Sequence, residues 1–126
     1  MSSDDPLNGL RVLVVEDEAL VAMLVEDMLS DFGCTVLGPA GSIRQAIEAI
    51  ERDAPQAAVL DVNLGGEPVY AVADALMARG TPFVLATGYG EMGVAEGYRA
   101  APVLQKPFEQ AELEQRLRQA VSAGGS

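Results

Sequence analysis

Leu10-Arg11-Val12-Leu13-Val14-Val15-Glu16-Asp17-Glu18 decides the fold. An aliphatic run interrupted only by Arg11 passes directly into three consecutive carboxylates. Both alternating positions of the run are apolar, the pattern of a strand buried on its two faces rather than on one. Such a strand needs neighbours in the sheet and helices above and below it.

Four further runs repeat the pattern: Thr35 to Leu37, stopped by Gly38 and Pro39, then Ala57 to Leu60, Pro82 to Ala86 and Val103 to Leu104. Helical spacing fills the intervals. Leu20, Leu24 and Met28 with Val21, Val25 and Phe32 form one stripe. Ile43, Ala46, Ile47 and Ile50 follow a capping box, with Ser42 at the cap and Gln45 three residues on. Pro68 suits the first turn of a third helix carrying Val69, Val72, Ala73 and Leu76. Leu113, Leu117, Ala120 and Val121 mark the last helix. Between Tyr89 and Pro102, Gly90, Gly93 and Gly97 each cost a helix roughly 1 kcal/mol against Ala, so a fourth helix there is expected to be short or mobile. The ends, Met1 to Asn8 and Ser122 to Ser126, are expected to fray.

Strands alternating with helices predict an α/β fold: a doubly wound (βα)5 flavodoxin-like sandwich around a five-stranded parallel sheet, strand order 2-1-3-4-5. The 126 residues suit one domain, with a core from about residue 9 to residue 121 and short polar tails. The net charge of −11, with eight scattered basic residues, argues against a nucleic-acid surface. With no histidine, the chain has no imidazole base, ligand or phosphoryl donor, and its one cysteine, Cys34, reads as a small buried residue. The polar, acidic start and the lack of a bilayer-length apolar run lead us to expect a cytoplasmic monomer.

The polar residues collect at strand ends. Glu16, Asp17 and Glu18 follow the first strand, Asp61 ends the third, Thr87 ends the fourth, and Lys106 follows the fifth. In this strand order, ligands bind between the first and third strands at their carboxyl ends, where the acidic cluster would face Asp61. Two unit charges about 4 Å apart repel by roughly 4 kcal/mol at an effective dielectric of 20, so compensation is needed. Lys106 and a divalent cation are the candidates. Oxygen donors alone favour a hard ion such as Mg²⁺. This set suits phosphoryl transfer to a carboxylate, where charge spreads over three oxygens. Mg²⁺ would neutralise one, Lys106 a second, and the Thr87 hydroxyl would bond the third, while Gly88 leaves room for a donor.

Four pieces in order resemble the response-regulator receiver family: Val14-Val15-Glu16-Asp17-Glu18, Val59-Leu60-Asp61-Val62-Asn63, Ala86-Thr87-Gly88 and Lys106-Pro107-Phe108. The resemblance covers roughly Leu10 to Val121. It implies that Asp61 is the phosphoacceptor. It implies that Glu16, Asp17 and Asp61 hold Mg²⁺ together with the main-chain carbonyl of Asn63. It makes Thr87 and Lys106 the phosphate-sensing pair and the Lys106–Pro107 bond cis. Leu85-Ala86-Thr87-Gly88-Tyr89-Gly90 further resembles the "FAT GUY" receivers, mostly stand-alone, with Leu85 in place of Phe. The implied partners are a sensor histidine kinase or histidine phosphotransfer protein and a downstream protein target. The implied role is a signalling switch, or a phosphoryl shuttle, that catalyses only its own phosphorylation and dephosphorylation. Receivers usually carry Tyr or Phe three residues before the lysine, where this chain has Val103. Tyr89 or Tyr98 then takes the aromatic role, or the Gly-rich segment itself orders.

Three rival readings can be separated. A haloacid-dehalogenase-type phosphatase wants a second Asp two positions after the first, and that position is Asn63. A flavodoxin-like electron carrier wants a Gly-rich phosphate cradle after the first strand, where this chain has carboxylates. A phosphorylation-independent pseudo-receiver would keep the fold as a binding module, and Val103 is the residue that points to it.

Overall fold

The computed structural model describes residues 5–88, 93–98 and 100–124. The main sheet contains β1 (Arg11–Val15), β2 (Thr35–Ala40), β3 (Ala57–Asp61), β6 (Phe83–Thr87) and β7 (Val103–Gln105), all parallel, in the order β2-β1-β3-β6-β7. This is the expected 2-1-3-4-5 arrangement. The numbering differs because Asn63–Leu64 (β4) and Glu67–Pro68 (β5) form a separate antiparallel ribbon. Its turn is Gly65-Gly66, both at positive φ, as a tight two-residue hairpin requires. The helices are α1 (Ala19–Asp31), α2 (Ile43–Asp53), α3 (Tyr70–Ala78) and α4 (Gln110–Gly124).

Alternate residues of β1 leave opposite faces of the sheet. Val12 and Val14 pack with α1 and α4, whereas Leu13 and Val15 pack with α2 and α3. Strands β3 and β6 are buried at every residue, as sequences that are apolar up to their last residues, Asp61 and Thr87, require. Among the described residues, no helix is long and apolar enough to cross a membrane.

Where a short fourth helix is expected, the described residues carry a 3-10 turn at Glu96–Tyr98, in keeping with the helix-breaking glycines around it. Several other expectations are corrected. Strand β2 continues through Gly38-Pro39 to Ala40. Proline is tolerated there because β2 is an edge strand, and an irregularity in the β1 register accommodates it. Pro68 lies in β5, so α3 starts two residues later, at Tyr70. On α1 the buried face is Ala22, Val25 and Leu29. Leu20 and Leu24 point to solvent, because small Ala22 brings its own side of the helix close to the sheet. The N-terminal tail is tied down from residue 5: Leu7 is fully buried, and both carboxylate oxygens of Asp5 accept from Arg118 of α4, at 2.9 and 3.0 Å. Helix α4 also runs into the expected C-terminal tail. Cys34 is half-buried rather than buried, and partial burial pushes its thiol up to about 11, which keeps it protonated and unreactive at neutral pH.

The Ser42 hydroxyl accepts from the Gln45 amide at 3.1 Å, and the Gln45 side chain reaches back to the Gly41 amide at 2.9 Å. The cap thus forms at the expected residues, one position wider on its return bond.

Gly38 has φ +91, and a Cβ there would come within 3.0 Å of the Val14 carbonyl oxygen and the Ala40 nitrogen. Both obstacles are backbone and cannot swing aside. Gly38→Ala is expected to cost about 2–4 kcal/mol from left-handed strain plus overpacking. A urea midpoint equal to the wild type's would contradict this.

Candidate functional site

Five side chains meet at the carboxyl edge of the sheet. Carboxylate oxygens of Glu16, Asp17 and Asp61 all lie within 4.8 Å of one another. Strand β1 delivers Glu16 and Asp17, and β3, its hydrogen-bonded neighbour, delivers Asp61. Lys106 follows β7, and its Nζ lies 3.2 Å from Glu16 Oε1 and 3.4 Å from Asp61 Oδ2. Its backbone N–H donates to the Thr87 carbonyl at 2.8 Å, which fixes the lysine beside the end of β6. The Lys106–Pro107 peptide is cis, as is Gly38–Pro39, which sequence reasoning did not anticipate.

Asp61 and Thr87 are buried, yet both line a cleft of about 510 Å³ together with Asn63, Tyr70, Gly88 and Lys106. The Asp61 carboxylate is oriented from two sides. Oδ1 accepts from the Asn63 N–H at 3.3 Å, and Oδ2 faces Lys106. Glu16 Oε2 accepts from the Glu18 N–H at 3.0 Å. Glu18 is also the N-cap residue of α1, so the acidic run both starts a helix and builds the site.

The electrostatics show an undercompensated cluster. Burial, reinforced by the Asp61 charge, holds the Glu16 carboxyl above its ordinary value against the opposing pull of the Glu18 amide and Lys106. Burial alone would lower Lys106. The Asp61 and Glu16 carboxylates outweigh it and hold the ammonium above its ordinary range. Three carboxylates against one ammonium leave a formal charge of −2 (three minus one). An all-oxygen donor set with that residual charge fits a hard divalent cation.

The structure brings together Glu16, Asp17, Asp61, Thr87 and Lys106, and places Asn63 on the cleft wall. Tyr89 lies outside the described residues. Val103 is half-buried at the start of β7, where its carbonyl accepts from Arg116 at 3.2 Å. Sequence reasoning missed Tyr70, which lines the cleft from the first residue of α3. Its only sequence signal was an aromatic two residues beyond Pro68. The Gly-Gly ribbon was missed too, although a two-residue glycine loop is a recognised hairpin signal.

The family model for the response regulator receiver domain matches residues 12–118. The chain belongs to that family. This receiver domain is similar to the transcriptional regulatory protein PdtaR of Mycobacterium tuberculosis, 32% identical over 116 residues that cover 89% of this chain and 57% of PdtaR. It spans about half the length of the curated relatives it matches. It is also similar to SdrG of Sphingomonas melonis Fr1, at 41% identity and a TM-score of 0.77, covering 93% of this chain and 97% of SdrG. A third likeness is to the receiver domain of the sensor histidine kinase PA1611 of Pseudomonas aeruginosa PAO1, at 26% identity and a TM-score of 0.75, covering 90% of this chain and 98% of that one. That structure holds a magnesium ion coordinated in its active site cleft.

Proposed function

We propose that this receiver domain accepts a phosphoryl group on Asp61 from a phosphohistidine of a sensor histidine kinase or histidine phosphotransfer protein. The observation that carries the proposal is the Asp61 carboxylate itself. It is buried, held by an amide and an ammonium, and still opens on a cleft large enough for a donor. A carboxylate oxygen of Asp61 attacks phosphorus. The P–N bond breaks, the imidazole nitrogen keeps the bonding pair, and an acyl phosphate forms. Lys106 and the Thr87 hydroxyl then meet two of the phosphoryl oxygens. Glu16, Asp17, Asp61 and the main-chain carbonyl of Asn63 would hold Mg²⁺, which supplies positive charge for a phosphoryl oxygen when bound.

Docking of the donor is supported by α1, which begins beside Glu18 at the cleft rim. Leu20, Met23 and Leu24 are 76%, 56% and 58% exposed there, an apolar patch suited to a helical partner. The phosphorylated domain signals onward by conformational change and protein binding, or passes the group to another carrier.

Labelling by a small-molecule phosphodonor is expected to require Mg²⁺ and to stop on chelation with EDTA. Equal labelling with and without divalent cation would refute the metal's role. Millimolar Mg²⁺ is also expected to raise the melting temperature, because it relieves carboxylate repulsion only in the folded state. Asp17→Asn should shrink that rise, since Asp17 is an exposed member of the cluster and its loss leaves the core intact. No rise in the wild type would count against the site.

A further inference from the structure

The segment after β6 returns to the cleft rim at Gly93 and is fastened to α3 by a set of aromatic contacts. The rings of Tyr70 and Tyr98 stack with centroids 4.3 Å apart and planes 15° from parallel. The Tyr98 hydroxyl donates to Asp74 Oδ1 at 2.7 Å, and the Ala95 N–H donates to the Tyr70 hydroxyl at 2.7 Å. Tyr70 and Asp74 are four residues apart on α3 and so share one helix face. The bond to Asp74 holds the Tyr98 phenol above its ordinary value, which marks it as a donor in this state. Val94, next to Ala95, is buried in the core. Tyr98 also lines a second cavity of about 470 Å³, lined too by Met77 of α3 and Ala120 of α4, which gives the ring room to leave the stack.

We propose that the Tyr70–Tyr98–Asp74 clasp is the restraint this receiver must release to switch: it holds residues 93–98 against α3 in the unphosphorylated domain. This rests on the reading of Asp61 as phosphoacceptor. Three placements support it. Thr87, expected to meet the phosphoryl group, ends β6, and the chain leaves β6 through Gly88 and returns at the clasp. Tyr70 stands at both places, since it lines the phosphoacceptor cleft and carries the stack. Val103 has no ring to report Thr87 movement through β7, so the restraint on the β6 side takes that part. The clasp then favours the resting member of a two-state equilibrium, and weakening it raises the population ready for the phosphoryl group. Tyr70, Tyr98 and Asp74 are positioning residues in this account.

The test is the affinity for beryllofluoride in saturating Mg²⁺, a phosphoryl mimic for which the similar protein SdrG has an activated structure. Tyr98→Ala is expected to bind it about 2- to 10-fold more tightly than the wild type, the factor that corresponds to one lost aromatic stack. Tyr98→Phe, which keeps the ring and loses the hydroxyl, should fall between the two. Mg²⁺ affinity measured alone should not change. In the wild type, the Ala95 amide should lose protection from hydrogen exchange when beryllofluoride binds. If Tyr98→Ala fails to fold, Asp74→Ala, at an exposed position, should tighten binding in the same direction. Unchanged or weaker binding by the folded variants, with the wild type binding normally, overturns the clasp alone. No binding by the wild type overturns the phosphoacceptor reading and the clasp with it.

Discussion

Asp61→Asn is expected to melt at a higher temperature than the wild type when no divalent cation is present, and to respond much less to Mg²⁺. The substitution removes one charge from a cluster in which Asp61 faces two carboxylates and one ammonium. Each repulsion and the attraction are of similar size, a few kcal/mol at about 4 Å and an effective dielectric of 20. Two repulsions are lost for one attraction, and a buried carboxylate no longer has to be desolvated. Solvent screening at exposed Asp17 reduces the gain to about 1–2 kcal/mol, or roughly 3–8 °C for a domain of this size. The amide is nearly isosteric, so packing is unchanged. An Asn variant that melts below the wild type in EDTA would show that the cluster is not strained by its own charge. On the expected result the site trades stability for function, since the change that stabilises the domain removes its acceptor.

Lys106→Met should act in the opposite direction, and its effect should depend on pH. Methionine keeps much of the aliphatic stem and deletes the ammonium that lies 3.2 Å from Glu16 and 3.4 Å from Asp61. Near neutral pH the expected cost is about 1–3 kcal/mol, below the usual 3–5 kcal/mol for breaking a buried pair because the cleft admits water. Lys106 is held above its ordinary value in the fold. Its pairing therefore contributes fully below that ordinary value and is lost as pH rises through the raised one. Glu16 is raised as well, so its burial penalises the ionised form, and that penalty vanishes once acid protonates it. Without Lys106 the Glu16 carboxyl rises further and takes up its proton at a higher pH. The difference between variant and wild type should therefore shrink as pH falls from about 7 towards 5. Urea midpoints for both proteins across that range measure it. A difference that stays constant with pH would mean that Lys106 acts through packing rather than charge.

Much of this architecture was legible because parallel strands buried on both faces leave an unambiguous signature. Val12 to Val15, Ala57 to Leu60 and Phe83 to Ala86 have no polar position, and each ends abruptly in Glu16, Asp61 or Thr87. Once the strand order is set by right-handed crossovers, those polar ends can only meet at one edge. What was not legible depended on tertiary choices. Leu20 and Leu24 have core-like spacing, but which side of α1 is buried was decided by small Ala22. Asp5 to Asn8 look like a polar tail until Leu7 finds a place against α1 and α4 and Asp5 finds Arg118. Gly38-Pro39 reads as a strand stop, and only the edge position of β2 lets the strand continue. Tyr70 carries no motif, and its stack with Tyr98 joins residues 28 positions apart in the chain (98 minus 70).

The central claim is that Asp61 carries the phosphoryl group. Intact mass spectrometry after incubation with a small-molecule phosphodonor and Mg²⁺ tests it most directly, with peptide mapping of the product. The wild type is predicted to gain the mass of one phosphoryl group, mapped to Asp61, and Asp61→Asn to gain none. A wild type that gains no mass, or an Asn variant that gains as much as the wild type, would contradict it.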